Sequence, residues 1–118
     1  MVDMVDTVDT VISMRPYRDP FQYMNRGLAV EIVVKDRSPY VLSYMKNFLV
    51  EDVVQYICRV VENFGGTCCE IRRCPQVYND GSREFLDPAV FYEILELLKP
   101  ALNSRRVHLA SVSAQVEA

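Results

Sequence analysis

The sequence predicts an α+β sandwich, with two helices on one face of a sheet of three or four strands and an extended arm in front. Three observations predict it. Leu28 to Lys35 (LAVEIVVK) is a β-branched apolar run with Gly27 before it and Asp36-Arg37-Ser38-Pro39 after it, the pattern of a central strand. Two longer stretches, beginning at Tyr40 and at Pro88, repeat apolar residues at three- and four-residue steps, the helical period. The segment Val107 to Val112 alternates apolar and polar residues as a half-buried strand does.

Taken in order, residues 1–27 read as an extended N-terminal arm. Val2-Asp3-Met4, Val5-Asp6-Thr7 and Val8-Asp9-Thr10 form a near-repeat of three, which matches neither the strand nor the helix period. Pro16, Pro20 and Gly27 follow, with Tyr17, Phe21 and Tyr23 between them as anchors. This reading docks the arm on a partner chain through those aromatics. The alternative is an arm that folds back on its own domain. Residues 28–113 are the domain and 114–118 a short tail.

Within the domain, the first helix is expected from about Tyr40 to Phe64. Ser38 is its N-cap and Pro39 its first residue, with a kink or restart near Leu49-Val50-Glu51-Asp52. Gly65-Gly66 ends it with a residue free to take positive φ. The next strand is TCCEIRRC, residues 67–74, which sends Cys69, Ile71 and Arg73 to one face and Cys68, Glu70, Arg72 and Cys74 to the other. Asn79-Asp80-Gly81 is a turn signal, after which Arg83 to Leu86 returns as a short strand. Asp87 and Pro88 then open a second helix, whose buried face is Val90, Phe91, Ile94, Leu95, Leu97 and Leu98. Pro100 and Asn103-Ser104 end it. The resulting order, strand, helix, strand, short strand, helix, strand, is that of a split β-α-β, ferredoxin-like sandwich.

Composition narrows the function. The chain has 118 residues, is half apolar and carries a formal net charge of −3. An acidic balance restricts any RNA contact to a local patch. No apolar run reaches the ~18 residues a membrane span needs, so no membrane insertion is expected. Cys58, Cys68, Cys69 and Cys74 lack the paired loop spacing of a zinc site, and adjacent strand cysteines point apart, so they read as buried packing residues with no metal or cofactor. The lone His108 stands beside Arg105-Arg106 rather than beside a nucleophile, and neither a phosphate-binding glycine loop nor a placed carboxylate pair is present. The expectation is a protein that is not an enzyme and has no small-molecule substrate.

The arginines carry the remaining chemistry. Arg72, Arg73, Arg83, Arg105 and Arg106 fall on strands and loops, and they gather into one basic patch if the last strand lies near the CCEIRRC strand. The alternative is a rim of salt bridges to Glu70, Glu84 or Asp87.

The segment LAVEIVVKDRSPYVLSYMKNF, the glycine-ended helix and CCEIRRCP resemble the opening of the ribosomal protein S ten family. In that family's mitochondrial members a Ser-Tyr pair opens the helix a few residues past an Asp, as Ser43-Tyr44 stand to Asp36 here. PAVFYEILELLKPALNSRRVHLASV is similar to the family's closing helix, loop and strand, nearest its mitochondrial large-subunit branch. The long hairpin of the small-subunit members is absent, and the first helix is longer by about two turns. The resemblance implies a ferredoxin-like fold and a non-catalytic structural subunit of a mitochondrial ribosome, among other subunits and touching rRNA through the arginines. A second resemblance, to the thioredoxin-like family shared by ribosomal proteins and a complex I accessory subunit, rests on Tyr78-Asn79-Asp80-Gly81 before the last helix. It implies an accessory subunit of a respiratory-chain complex.

Overall fold

A computed structural model describes residues 7–18, 26–37 and 40–113 of the chain. It is an α+β sandwich with two helices on a mixed sheet. The elements are β1 (Thr10–Arg18), β2 (Arg26–Val34), β3 (Val41–Lys46), α1 (Val50–Phe64), β4 (Cys68–Arg73), β5 (Pro75–Val77), β6 (Arg83–Phe85), α2 (Pro88–Ser104) and β7 (His108–Ser113). Five strands form the main sheet in the order β3-β2-β1-β4-β7, one or two more than the sequence pattern suggested. β1, β2 and β3 make an antiparallel meander, while β4 runs parallel to β1 and β7 parallel to β4. The parallel strands are direct neighbours, so no strand is inserted between them as a split β-α-β unit would require.

The first correction concerns the arm. Residues 10–18 do not reach toward a partner but form β1, the middle strand of the sheet. The reason lies in Thr10, Ile12 and Met14, which alternate onto one face and are fully buried there. Prolines at 16 and 20 had suggested a lead-in without a strand. However, β1 pairs with β4 only as far as Met14, so Pro16 sits where the strand has a neighbour on one side only, a position that tolerates a missing N–H. Gly27 likewise lies inside β2, opposite Tyr17 and Lys46, rather than before a strand. Phe21, Tyr23, Ser38 and Pro39 lie outside the described residues, as do residues 1–6 and the tail 114–118.

The second correction concerns the first helix. Residues 41–46 form β3, and α1 starts only at Val50, where the sequence had suggested a restart. Val41, Leu42, Tyr44 and Met45 favour a pleated surface, and pairing with the outer edge of β2 outweighs their partial match to a helical period. Asn47, at φ 47°, turns the chain out of the strand. α1 then ends as expected, with Gly65 in the left-handed conformation at φ 79° and the amides of Gly65 and Gly66 donating to the carbonyls of Glu62 and Val61.

Asp87 caps α2 through a hydrogen bond from the Ala89 amide, and Pro88 follows it. The helix continues through Pro100 and ends at Ser104, within the expected Asn103-Ser104 stop. Its buried face is Phe91, Ile94, Leu95, Leu98 and Leu102, while Leu97 points outward. The Asn79-Asp80-Gly81 turn forms, Gly81 taking φ 87° and the Asp80 carboxylate accepting from the Ser82 amide and hydroxyl. Its strands β5 and β6 make a separate two-stranded ribbon instead of joining the main sheet.

Both helices cover the same face of the sheet. Ile12, Met14, Leu28, Val30, Ile32, Cys69 and Ile71 meet Val53, Ile57, Cys58 and Val61 of α1 and the buried face of α2 in one hydrophobic core. Among the described residues, no helix is long and apolar enough to cross a membrane.

Candidate interaction surface

The helices leave the other face of the sheet uncovered. In register across β1, β2 and β3 it carries three rows: Ser13, Glu31 and Leu42; Arg15, Ala29 and Tyr44; Tyr17, Gly27 and Lys46. On the far side of β1, Arg72 of β4 lies beside Ser13 and is followed by Ser113 of β7.

The middle of this face is shaped by what β2 lacks. Ala29 and Gly27 present almost no side chain of their own, yet both are buried, so neighbouring side chains close over them. A Cβ on Gly27 would fall 2.8 Å from Cδ2 of Tyr17 and 3.0 Å from the Met45 carbonyl oxygen, which means the Tyr17 ring occupies the space above the glycine. That ring meets Tyr44, with centroids 4.7 Å apart and planes tilted by 41°. Tyr44 remains 55% exposed. The same face carries two ion pairs, Arg15 Nη1 to Glu31 Oε1 at 3.9 Å across β1 and β2, and Arg72 Nε to Glu70 Oε2 at 2.6 Å along β4.

The five predicted arginines do not form one patch. β7 does lie next to β4, but the two run parallel, so His108 stands opposite Cys68 and Ser113 opposite Arg72. Arg105 and Arg106 therefore enter the sheet at one end and Arg72 and Arg73 leave it at the other, roughly 16 Å away along the strand. Arg72 projects on the uncovered face. Arg73, on the helix side, donates from Nε to the Leu86 carbonyl at 2.8 Å and lies 5.5 Å from the Phe85 ring centroid. Arg83 is exposed at the start of β6. Arg105 bridges the helices, pairing with Glu62 at 3.2 Å and donating to the Ala101 carbonyl, while Arg106 takes a left-handed φ of 60° to lead into β7. The salt-bridge alternative thus holds for Arg72 through Glu70, and for Arg105 through an acid not considered.

The cysteines are thiols, with Cys58, Cys68 and Cys69 buried. Burial pushes the Cys69 thiol up to about 12, helped by the nearby Asp9 charge, which is the opposite of the shift a nucleophile needs. Among the described residues, no group of three or more His, Cys, Asp or Glu side chains could hold a metal ion. His108 lines a shallow cleft with Lys99, Pro100 and Asn103 between α2 and β7.

Asp9 was not anticipated as a structural residue. Its carboxylate accepts from the amides of Thr67 and Cys68 and from the hydroxyls of Thr67 and Thr10, tying the start of β1 to the start of β4. Burial raises its pKa, but these hydrogen bonds outweigh burial and hold it below the usual carboxylate value. A folded pKa below the unfolded one contributes stability that is present above the ordinary value of 3.8 and fades as pH falls through the lower folded value. Asp9→Asn should therefore lower stability by about 1 kcal/mol near neutral pH, a modest figure because the carboxylate is largely solvated. In urea melts the gap to the parent should narrow below pH 4 or so, and a gap independent of pH would remove the carboxylate's role.

No family model matches the sequence, and no curated protein does. Among solved structures, a Thermus thermophilus RuvC structure is similar at a TM-score of 0.45 and 14% sequence identity, covering 86% of this chain. This chain spans 62% of that one. A likeness of this degree decides neither family nor function.

Proposed function

We propose that the chain is a non-catalytic structural subunit of a larger assembly and docks through the uncovered face of its sheet. The observation that carries this is the face itself. A sheet whose second side presents Tyr44, Tyr17, Leu42 and Val33 alongside two ion pairs has the mixed apolar and charged make-up of an interface. The acids and thiols support the same reading, since they do structural work. Asp9 ties β1 to β4, Asp87 caps α2, Glu70 and Glu62 hold arginines, and Cys58 and Cys69 fill the core.

The assembly implied by the sequence resemblance is a mitochondrial ribosome. The C-terminal half of that resemblance, a helix, a loop and a strand, coincides with α2 and β7. The opening half does not, because Ser43-Tyr44 stand on β3 and not at a helix start. Sedimentation of a tagged chain from a lysate of the cells that make it tests the proposal. Co-migration with an rRNA-containing particle, lost in Tyr44→Glu but not in the helix-surface variant Tyr92→Glu, is the expected result. A wild-type chain that stays at the top of the gradient contradicts it, and co-migration with respiratory-chain activity moves the assembly to the complex I reading.

A further inference from the structure

The main sheet has two outer edges, β7 and β3, and they differ. The pairing of β7 with β4 skips Ala110, and a bulge of this kind twists a strand away from any further neighbour. β3 has no such protection. Its six residues, VLSYMK, hold no proline and no charge before Lys46, and they pair with β2 in an unbroken register. The strand is also apolar on both sides of the sheet. Tyr40 and Tyr44, which alternate onto the uncovered side, are each 55% exposed, and Val41 and Met45 are only partly buried on the helix side. Among the described residues, no strand pairs with the outer edge of β3. A regular apolar edge with open amide and carbonyl groups selects one kind of occupant, another extended strand.

We propose that this occupant is β3 of a second copy, running antiparallel about a two-fold axis at Ser43. Self-complementarity carries the choice, because a two-fold contact that sets one residue against another also sets the second against the first. Residues paired across the seam must share a face of the sheet, so the axis falls on a residue and not between two. With the axis at Ser43, Leu42 meets Tyr44 of the second copy on the uncovered side, and Val41 meets its Met45 on the helix side. Tyr40 lies against Lys46 of the second copy, an aromatic ring beside a cation. Like charges are nowhere opposed. Ser43, which is hydrogen-bonded to Tyr56 of α1, is the small residue where the two strands cross the axis. An axis at Tyr44 would set Leu42 against Lys46, and an axis at Leu42 would carry Met45 and Lys46 beyond the start of the other strand. The axis stands perpendicular to the sheet, so the uncovered faces of both copies lie on the same side. Two five-stranded sheets become one, and the surface used in the assembly reading is extended rather than blocked.

Sedimentation velocity of the purified chain over a range of concentrations tests this. The expected result is a reversible shift from 13.6 kDa to twice that mass. Tyr40→Lys places like charges opposite each other at both ends of the seam and should raise the dissociation constant roughly tenfold. Adding Lys46→Glu turns both contacts attractive and should restore the dimer. Ala110→Lys, on the other edge of the sheet, should leave the dimer as tight as the parent's. Circular dichroism of each variant separates lost pairing from lost folding. A chain that is monomeric at every concentration overturns the proposal and leaves β3 to a strand of another protein. A dimer that Ala110→Lys breaks, or that Tyr40→Lys leaves unchanged, overturns it as well. A Tyr40→Lys chain that Lys46→Glu does not restore overturns the register about Ser43. Every variant keeps Tyr17, Tyr44 and Arg15, so failure here leaves the assembly reading standing.

Discussion

A chain lacking residues 1–18 should fail to fold. Those residues include β1, which is paired on both sides, to β2 over nine residue pairs and to β4 over five. Removing it would leave the β2–β3 hairpin with no hydrogen-bonded neighbour linking it to the β4–β7 pair, and would open Ile12 and Met14's places at the centre of the core. A core hole of two large side chains is destabilising by several kcal/mol before any backbone loss is counted, which is comparable to the whole stability of a domain of this size. The expected measurement is a far-ultraviolet circular dichroism spectrum without a cooperative thermal transition. A truncated chain that melts cooperatively near the parent's midpoint would return residues 10–18 to the role of a detachable arm. The same experiment separates the two readings of the N-terminus more sharply than any partner assay.

Phe91→Ala should be the most damaging single substitution among those that keep the backbone intact. Phe91 is the largest of the fully buried side chains and sits on α2 where that helix meets the core. Truncating a buried phenylalanine costs about 3–5 kcal/mol, because lost transfer free energy and an unfilled cavity add. For a domain of this length that corresponds to a fall in Tm on the order of 15 °C. Tyr92→Ala is the matched control: the adjacent residue is 49% exposed, so its loss should shift Tm by no more than a few degrees. Equal shifts in the two variants would mean that α2 packs with a different face inward.

The two helix ends that rest on local chemistry were legible in the sequence. Asp87-Pro88 opens α2 and Gly65 closes α1 because a cap and a left-handed residue act within a turn of their own position. The Asp80-Gly81 turn was legible for the same reason. What could not be seen from local pattern was pairing. β3 has apolar residues at spacings that suit a helix nearly as well as a strand, and the free edge of β2 makes the choice. β1 carries a strand signal, the alternation of Thr10, Ile12 and Met14, which Pro16 and Pro20 just beyond it mask. Strand direction decided the candidate site. Adjacency of β7 to β4, the condition for one patch, is met, but the parallel run of the pair sets Arg105 and Arg106 far from Arg72 and Arg73. Arg15 and Tyr44 are hidden in the sequence with β1 and β3, while Gly27 reads as the residue before β2 rather than one inside it. Tyr17 reads in the sequence as an anchor for a partner chain, whereas in the fold its ring meets Tyr44 of its own chain.

The claim on which the functional account turns is that the chain meets its partner through the uncovered sheet face and not through the outer surfaces of its helices. Hydroxyl-radical footprinting of the chain, free and in its native particle, tests this directly, because exposed tyrosines report on both surfaces. Tyr44 on the sheet and Tyr92 on α2 are similarly exposed in the isolated chain, at 55% and 49%. The account predicts that Tyr44 becomes protected in the particle while Tyr92 stays reactive. Protection of Tyr92 with Tyr44 still reactive would contradict it.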